Sequence, residues 1–488
     1  MPKKKKKREV VPQVEITGIA DKGRSVGRDS KGRVIFVERV APGDIVDVIV
    51  KKAKKGYKEG IPGTFHKYSE DRIAPFCEHY GICGGCKWQH VTYQSQLKHK
   101  QNIVWQALRR IGKINVIDFY PILASEKTTY YRNKLEFTFS NKRWLTKDEI
   151  FRGESHFKDV LGYHRAGAFD KIVDIEHCFL QSEPSNLIRN TVRDVGIEQG
   201  LSFFDLREKK GFLRHIMIRI TTLGQIMLIV SFFYEDEDKR IAFLDELAKR
   251  LPMVSALFYC INPKDNDFIL DLDILSYKGL PYVEEKLGDV MFRIGPKSFF
   301  QTNTHQAERL FDTVRDFAGL SGEENVYDLY TGIGSIALYL AKECKQVVGI
   351  EEVGMAIEDA KVNAAINDID NVLFYAGDVK DILTRDFADK HGKPDVLITD
   401  PPRAGMHPNV VKMLLKLEAP KIVYVSCNPS TQARDLNLLS QKYRLSKIRP
   451  VDMFPHTHHI ETVALLELKP KQPWYVEWKD WVMDKVGR

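Results

Sequence analysis

The sequence predicts an α/β protein in three parts: a small N-terminal β-barrel, an α+β segment, and a C-terminal doubly wound parallel sheet. Three observations carry this. The 488 residues leave room for roughly three domains at about 150 residues each. Residues 10–67 hold short alternating strands punctuated by glycine and proline. From about residue 290 apolar strands alternate with helical stretches, which is how parallel α/β sheets read.

Hydrophobic residues make up 43% and charged residues 29% of the chain, an ordinary globular composition that rules out a disordered chain or a disulfide-stapled miniprotein. No apolar run approaches the roughly 20 residues that cross a bilayer. The chain opens on Lys3–Lys7 in place of a signal peptide, so neither a membrane nor a secreted protein is expected. Residues 1–67 carry 18 Lys/Arg against 8 Asp/Glu, while the whole chain is only +8, so the remainder is −2. A basic module on a near-neutral body suits a polyanion, because basic side chains displace counterions condensed on phosphates. The run Lys3–Arg8 also reads as a solvated tail or an import signal. Seven cysteines, an odd number, argue against a complete disulfide framework and for a reducing cytoplasm.

In order along the chain, Val14–Ile16, Val34–Val37 and Ile45–Val50 are short strands, with turns at Asp21-Lys-Gly23, Gly32, Ala41-Pro-Gly43 and Pro62-Gly63. Such spacing suits an OB-type barrel. Residues 68–95 hold Cys77, Cys83 and Cys86, and residues 96–112 look helical. Residues 128–285 are strand-rich, as in Lys134–Phe139 and Leu213–Ile220. Later strands are Val326–Tyr330, Gln346–Ile350, Val396–Thr399 and Ile422–Val425. Pro470–Arg488 reads as a tail with three tryptophans.

Asp328-Leu-Tyr-Thr-Gly-Ile-Gly-Ser335 follows one strand and opens a helix over Ile336–Glu343. Gly332 and Gly334 permit a tight turn beneath a ligand, and Glu351 closes the next strand, where a carboxylate can accept hydrogen bonds from ribose hydroxyls. The motif is not a full G-x-G-x-x-G, and no Lys-Ser/Thr follows, so a dinucleotide is disfavoured and a P-loop excluded. Asp328 suits an amine-bearing ligand better than a pyrophosphate, and S-adenosyl-L-methionine has both a ribose and an amine. A purely structural glycine turn also explains the segment. Asp400-Pro-Pro-Arg-Ala-Gly405 is a stiff loop after another strand, and Ser426-Cys427-Asn428-Pro429 puts a thiol at the same sheet edge. Cys427 is a candidate nucleophile or a small buried residue, as expected for Cys260 and Cys344. Glu461 heads an apolar strand, where a carboxylate is usually only an exposed strand start.

These motifs, with Phe299-Phe-Gln301-Thr-Asn303 before them and Glu461-Thr-Val after them, resemble in their order the RNA 5-methyluridine methyltransferase family, the RNA (uracil-5-)-methyltransferases. The similarity spans nearly the whole chain. It implies a Rossmann-like methyltransferase domain using S-adenosyl-L-methionine, an N-terminal OB-like TRAM barrel and an α+β central domain. The implied division is 10–67 for TRAM; 68–95 with 128–285 for the central iron–sulfur and RNA-binding domain; 96–127 with 286–470 for catalysis; and 471–488 for the tail. By resemblance Cys427 attacks uracil C6, Glu461 removes the C5 proton, and Gln301, Tyr330, Glu351 and Asp400 contact the cofactor. Arg403 or Asp400 orients the pyrimidine, and Phe299 stacks on the flipped base or fills its place. Ser335 departs from the asparagine of many relatives.

Cys77-x5-Cys83-x2-Cys86 with Cys178 supplies four thiolates, which suit zinc or a 4Fe-4S cluster. There is one C-x2-C half instead of two, and the resemblance to the ribosomal-RNA branch favours the 4Fe-4S cluster. The spacing is not the C-x3-C-x2-C of radical S-adenosylmethionine enzymes, against a methylthiotransferase. Arg132, Lys134 and Arg214 resemble the family's RNA-contacting surface, though solvated basic residues on a sheet face read alike. The expected substrate is 23S ribosomal RNA, with transfer RNA as the alternative, the expected state a monomer in the cytoplasm, and no membrane partner is expected. A non-catalytic RNA-binding assembly factor is opposed by the joint presence of Cys427 and Glu461.

Overall fold

The computed structural model describes residues 8–20, 23–165 and 167–470; the lysines Lys3–Lys7 and the tryptophan-bearing segment 471–488 lie outside them. The first five strands close a barrel in the order Val10–Ile19, Ser25–Arg28, Val34–Val37, Tyr57–Lys67, Ile45–Ala53. Alternation explains its core: in Ile45–Ala53 the inward set is Val46, Val48 and Val50, which meets Val14, Ile16, Ile35 and Val37. One pair, Val34–Val37 with Tyr57–Lys67, is parallel and the others are antiparallel, the Greek-key pattern of an OB-like barrel.

The middle of the chain forms a seven-stranded sheet in the order Leu275–Gly279, Ala256–Ile261, Ile226–Phe232, Leu213–Ile220, Lys134–Lys142, Phe157–Arg165, Ala168–Asp174. Its central strand Leu213–Ile220 is buried throughout because both faces are covered. Ile216 and Ile218 pack with residues of helices Ser185–Glu198 and Glu237–Arg250. Met217, with Met227, Ile229 and Phe258, instead shares a core with Phe292, Phe300 and Phe311 of the C-terminal part.

The C-terminal sheet has eight strands in the order Val372–Ala376, Gln346–Glu351, Asn325–Leu329, Val396–Thr399, Lys421–Ser426, Glu461–Leu468, Tyr443–Val451, Asp118–Phe119. The first five run parallel, and Glu461–Leu468 turns antiparallel against Lys421–Ser426. Strand order reverses between Asn325–Leu329 and Val396–Thr399, and such a switch point opens a ligand crevice at the carboxyl ends. The expected α/β architecture with an N-terminal barrel and an α+β middle is therefore the one found. No helix among the described residues is long and apolar enough to cross a membrane.

The helix expected over residues 96–112 starts earlier, at Tyr93, runs to Ala107 and widens over Leu108–Gly112. Its start is set by tertiary bonds that local propensity does not contain: Ser95 Oγ donates to Asp71 Oδ2 at 2.8 Å, and Gln96 Oε1 accepts from His456 N at 2.9 Å. Further along, fully buried Lys100 pairs with fully buried Asp452, and Lys100 Nζ also donates to Phe454 O at 3.0 Å. Burial pushes the lysine pKa down and Asp452 holds it up. This pair joins the helix to the loop that leads into Glu461–Leu468. Lys100→Met strands a buried carboxylate and should cost about 3–5 kcal/mol, read from urea unfolding, whereas Lys100→Met/Asp452→Leu should recover most of it.

Candidate active site

The strand Asn325–Leu329 ends in a turn where Tyr330, Gly332 and Gly334 all have positive φ, 65°, 58° and 81°. For Tyr330 that is a costly conformation, held here by its N–H donating to Ile350 O at 2.9 Å. A Cβ on Gly332 would meet nothing within 4 Å, so this backbone faces open space. The Gly332 and Val353 amides donate to the two oxygens of Glu351, at 3.1 and 3.0 Å, which fixes that carboxylate at the crevice. The helix Ser335–Leu340 then begins.

Beneath the turn Asp328 is buried; Thr331 Oγ1 donates to its Oδ2 at 2.6 Å, while Oδ1 has no partner. Asp400 follows the neighbouring strand, its N–H bonded to Leu329 O at 3.3 Å. Burial pushes both carboxyls up to about 7, and the charge of Asp328 adds to the rise at Asp400. A cation placed between them would relieve both penalties.

The loop after Asp400 is fastened to the thiol-bearing segment. Asn428 Nδ2 and Thr431 Oγ1 donate to Arg403 O at 3.0 and 3.2 Å. Asn428 also caps the helix Pro429–Leu439 by accepting from Ser430 N at 3.1 Å. Asp435 Oδ2 accepts from Met406 N at 2.9 Å and from the Tyr424 hydroxyl at 2.8 Å. Cys427 lies in the turn between Lys421–Ser426 and that helix. Because Ser426 pairs with Thr462 in the ladder, Cys427 and Glu461 fall at the same sheet edge. Burial pushes the Cys427 thiol up to about 11, the charges of Glu461 and Asp400 add to it, and Arg403 opposes them. Burial and then Asp400 raise Glu461 well above the carboxylate range, again against Arg403. Glu461 is therefore a buried acid and not an exposed strand start. Arg403 Nη2 also meets His459 Nδ1 at 3.5 Å.

Phe299 is 67% exposed, yet the backbone around it is pinned. Asn133 Nδ2 donates to Gln301 O at 2.8 Å, Arg219 Nη2 to Ser298 O at 3.2 Å, and Ser298 Oγ to Asp359 Oδ2 at 2.6 Å. Gln301 itself is half-buried. Asn133, Arg219 and His459 were not singled out by the sequence, and no local pattern marks them: Asn133 and Gln301 are 168 residues apart.

The basic candidates separate. Arg132 is half-buried, its guanidinium 5.1 Å from the Phe454 ring centroid. Lys134 pairs with Glu136 at 3.0 Å. Arg214 corrects the expectation: it is 1% exposed and donates to Asn262 O at 2.6 Å and Asn266 O at 2.8 Å. Its charge is spent holding residues 262–267, which gives it an internal role in place of an RNA contact.

Cys77, Cys83, Cys86 and Cys178 line one cavity of about 150 Å³ with Tyr163, Leu180 and other side chains. Burial pushes Cys77 up to about 11 and Cys86 to about 12. Among the described residues, no three His, Cys, Asp or Glu side chains are grouped so as to hold a metal ion. Cys260 and Cys344 are buried elsewhere.

Residues 280–469 match the model of the tRNA (uracil-5-)-methyltransferase family, and residues 4–62 match the TRAM domain. A protein of Bacteroides thetaiotaomicron named as an uncharacterized RNA methyltransferase is 52% identical, over 89% of this chain and 97% of its own length. One of Porphyromonas gingivalis with the same name is 50% identical over 93% of this chain and 99% of its own. The crystal structure of Pyrococcus abyssi tRNA (uracil-54, C5)-methyltransferase with S-adenosyl-L-homocysteine superposes with a TM-score of 0.72 at 30% identity, covering 94% of this chain and 100% of that one.

In the free protein Cys427 should alkylate slowly with iodoacetamide at neutral pH and faster as pH rises toward its raised pKa. Arg403→Met should slow it further, because the opposing cation is lost, and Asp400→Asn should speed it; mass spectrometry of the Cys427 peptide reads all three.

Proposed function

Because this chain belongs to the tRNA (uracil-5-)-methyltransferase family and is an S-adenosylmethionine-dependent RNA methyltransferase, we propose that it forms 5-methyluridine in 23S ribosomal RNA through a covalent adduct of Cys427. The observation that carries this reading is the convergence of Cys427, Glu461 and Arg403 at the edge of the switch-point crevice. A second reading, the same chemistry on transfer RNA, is supported by the extent of the likeness to the Pyrococcus abyssi tRNA (uracil-54, C5)-methyltransferase.

The unpartnered Asp328 Oδ1, the open space at Gly332 and the two raised carboxyls fit a cationic, ribose-bearing ligand. Bound there, S-adenosylmethionine supplies an electrophilic methyl group to C5. Tyr330, Gln301, Glu351 and Asp400 would hold it, Glu351 accepting from the ribose and Asp400 facing the positive charge. A positive charge held beside Asp400 would oppose one of the charges that raise Cys427 and Glu461. The Cys427 thiolate then forms a bond to C6, and the C5–C6 π electrons move to the O4 enolate. Once C5 has taken the methyl group, the S–CH3 bond breaking to leave the thioether S-adenosyl-L-homocysteine, Glu461 takes the C5 proton, the C5–C6 double bond reforms and the thiolate leaves. Arg403 stabilises the thiolate and the carboxylate in turn, and exposed Phe299 stacks on the extruded base or fills the gap it leaves.

We read the four cysteines as ligands of a 4Fe-4S cluster. Four thiolates are the ligand set such a cluster takes, and Cys77, Cys83, Cys86 and Cys178, which would hold it, line one cavity.

Incubation with labelled cofactor and separate ribosomal and transfer RNA pools, followed by mapping of 5-methyluridine, decides the substrate; label confined to transfer RNA sinks the 23S reading. Cys427→Ala should bind RNA and transfer no methyl group. Glu461→Gln should turn over about 10²–10⁴-fold more slowly and accumulate a protein–RNA adduct that survives denaturing gels. Anaerobically purified protein should be brown and carry iron with acid-labile sulfide, both lost in Cys83→Ser; a colourless protein with stoichiometric zinc would overturn the cluster.

A further inference from the structure

Arg403, the cation that opposes the rise of Cys427 and Glu461, is not held in place by its own loop. It is exposed, and the hydrogen bonds from Asn428 and Thr431 fix only its backbone carbonyl. An exposed arginine side chain samples many rotamers, and holding one of them costs entropy. Its guanidinium is met by His459, whose Nδ1 lies 3.5 Å from Arg403 Nη2. Burial and then the charge of Arg403 push the His459 pKa down to about 4. The ring is therefore neutral at neutral pH, and with its proton on Nε2 it accepts at Nδ1 from the guanidinium.

The ring of His459 is held in turn by groups outside the C-terminal sheet. It stacks on His458 with the centroids 4.2 Å apart, and His458 packs on the barrel. A Cβ on Gly23 would stand 2.7 Å from His458 Cβ, so only a residue without a side chain fits there, at a φ of 71°. Trp88, 1% exposed, fixes that turn by donating from Nε1 to Gly23 O at 3.1 Å. The backbone ahead of the two histidines is fastened as well. His456 has a φ of 63°, a costly conformation for any residue but glycine. Its carbonyl accepts from the Lys87 and Trp88 amides at 2.8 and 3.0 Å, and its N–H donates to Gln96 Oε1 at 2.9 Å. We propose that His459 is a positioning residue, seated by the barrel turn at Gly23 through His458, which holds the Arg403 guanidinium toward the Cys427 thiol. A part of the chain that carries none of the reacting groups thereby sets how readily the thiol ionises. The proposal deepens the reading of Cys427 as the nucleophile and rests on it.

The test needs no RNA. Alkylation of Cys427 by iodoacetamide at one mildly alkaline pH is followed in the full chain by mass spectrometry of its peptide. His459→Phe keeps a ring and loses the acceptor. It should slow the reaction about 3–10-fold, since a facing charge is worth about one pKa unit and one unit is about tenfold in thiolate. His459→Asn, whose Oδ1 stands near the place of Nδ1, should restore most of the rate. Gly23→Ala should slow it as His459→Phe does. So should His458→Ala, which serves if Gly23→Ala does not fold. Gly32→Ala is the control, because it strains a φ of 76° in the same barrel with nothing within 4 Å, and it should leave the rate unchanged. In an Arg403→Met background none of these changes should slow the reaction further, because the cation they hold is gone. Full-rate alkylation in His459→Phe, or in both Gly23→Ala and His458→Ala, overturns the proposal. So does a rate in His459→Asn as low as in His459→Phe, equal slowing in Gly32→Ala, or a loss that multiplies with that of Arg403→Met. The expected pattern in a protein that makes no 5-methyluridine in ribosomal or transfer RNA would uphold the positioning and remove the catalytic reading instead.

Discussion

The candidate active site depends on one pairing, the antiparallel ladder between Lys421–Ser426 and Glu461–Leu468, which sets Ser426 opposite Thr462. That register brings a thiol and a carboxyl to one buried sheet edge where charge is expensive. Arg403 is the cation that opposes the rise of both groups, and its loop is tied to the thiol-bearing helix by Asn428 and Thr431. A site built this way rests protonated.

The central sheet is a structural partner of that site. Met217, Met227 and Phe258 share a core with Phe292 and Phe300, so the two sheets cannot move apart without exposing apolar surface. Asn133 and Arg219 reach from the central part of the chain to the backbone on either side of Phe299. An exposed aromatic on a pinned backbone is a rigid platform, which costs less entropy on meeting a base than a mobile loop would. On the far side of the crevice, Gly23 of the barrel packs on His458.

Strand periodicity made the barrel and both larger sheets legible, and the glycine, proline and cysteine motifs fell at strand ends as their spacing implied. Single basic residues were less legible. Arg214 and Arg132 look alike in sequence, each beside apolar residues in a strand-rich segment, yet one holds a loop from inside and the other lies half-buried over Phe454. Glu461 shows the same limit, since a carboxylate at a strand start is ordinarily exposed and here is 7% exposed.

By itself the sequence determined the α/β architecture, the order of its parts and the places where chemistry-bearing side chains leave the strands. Those properties are written in neighbouring residues, through periodicity, turn stereochemistry and proline rigidity. Only the tertiary structure decided which charges are buried and against what. Lys100 and Asp452 are 352 residues apart, and the pKa of Cys427 is set by burial together with Glu461, Asp400 and Arg403. Burial and electrostatics act through space, so they exist only once distant segments have met.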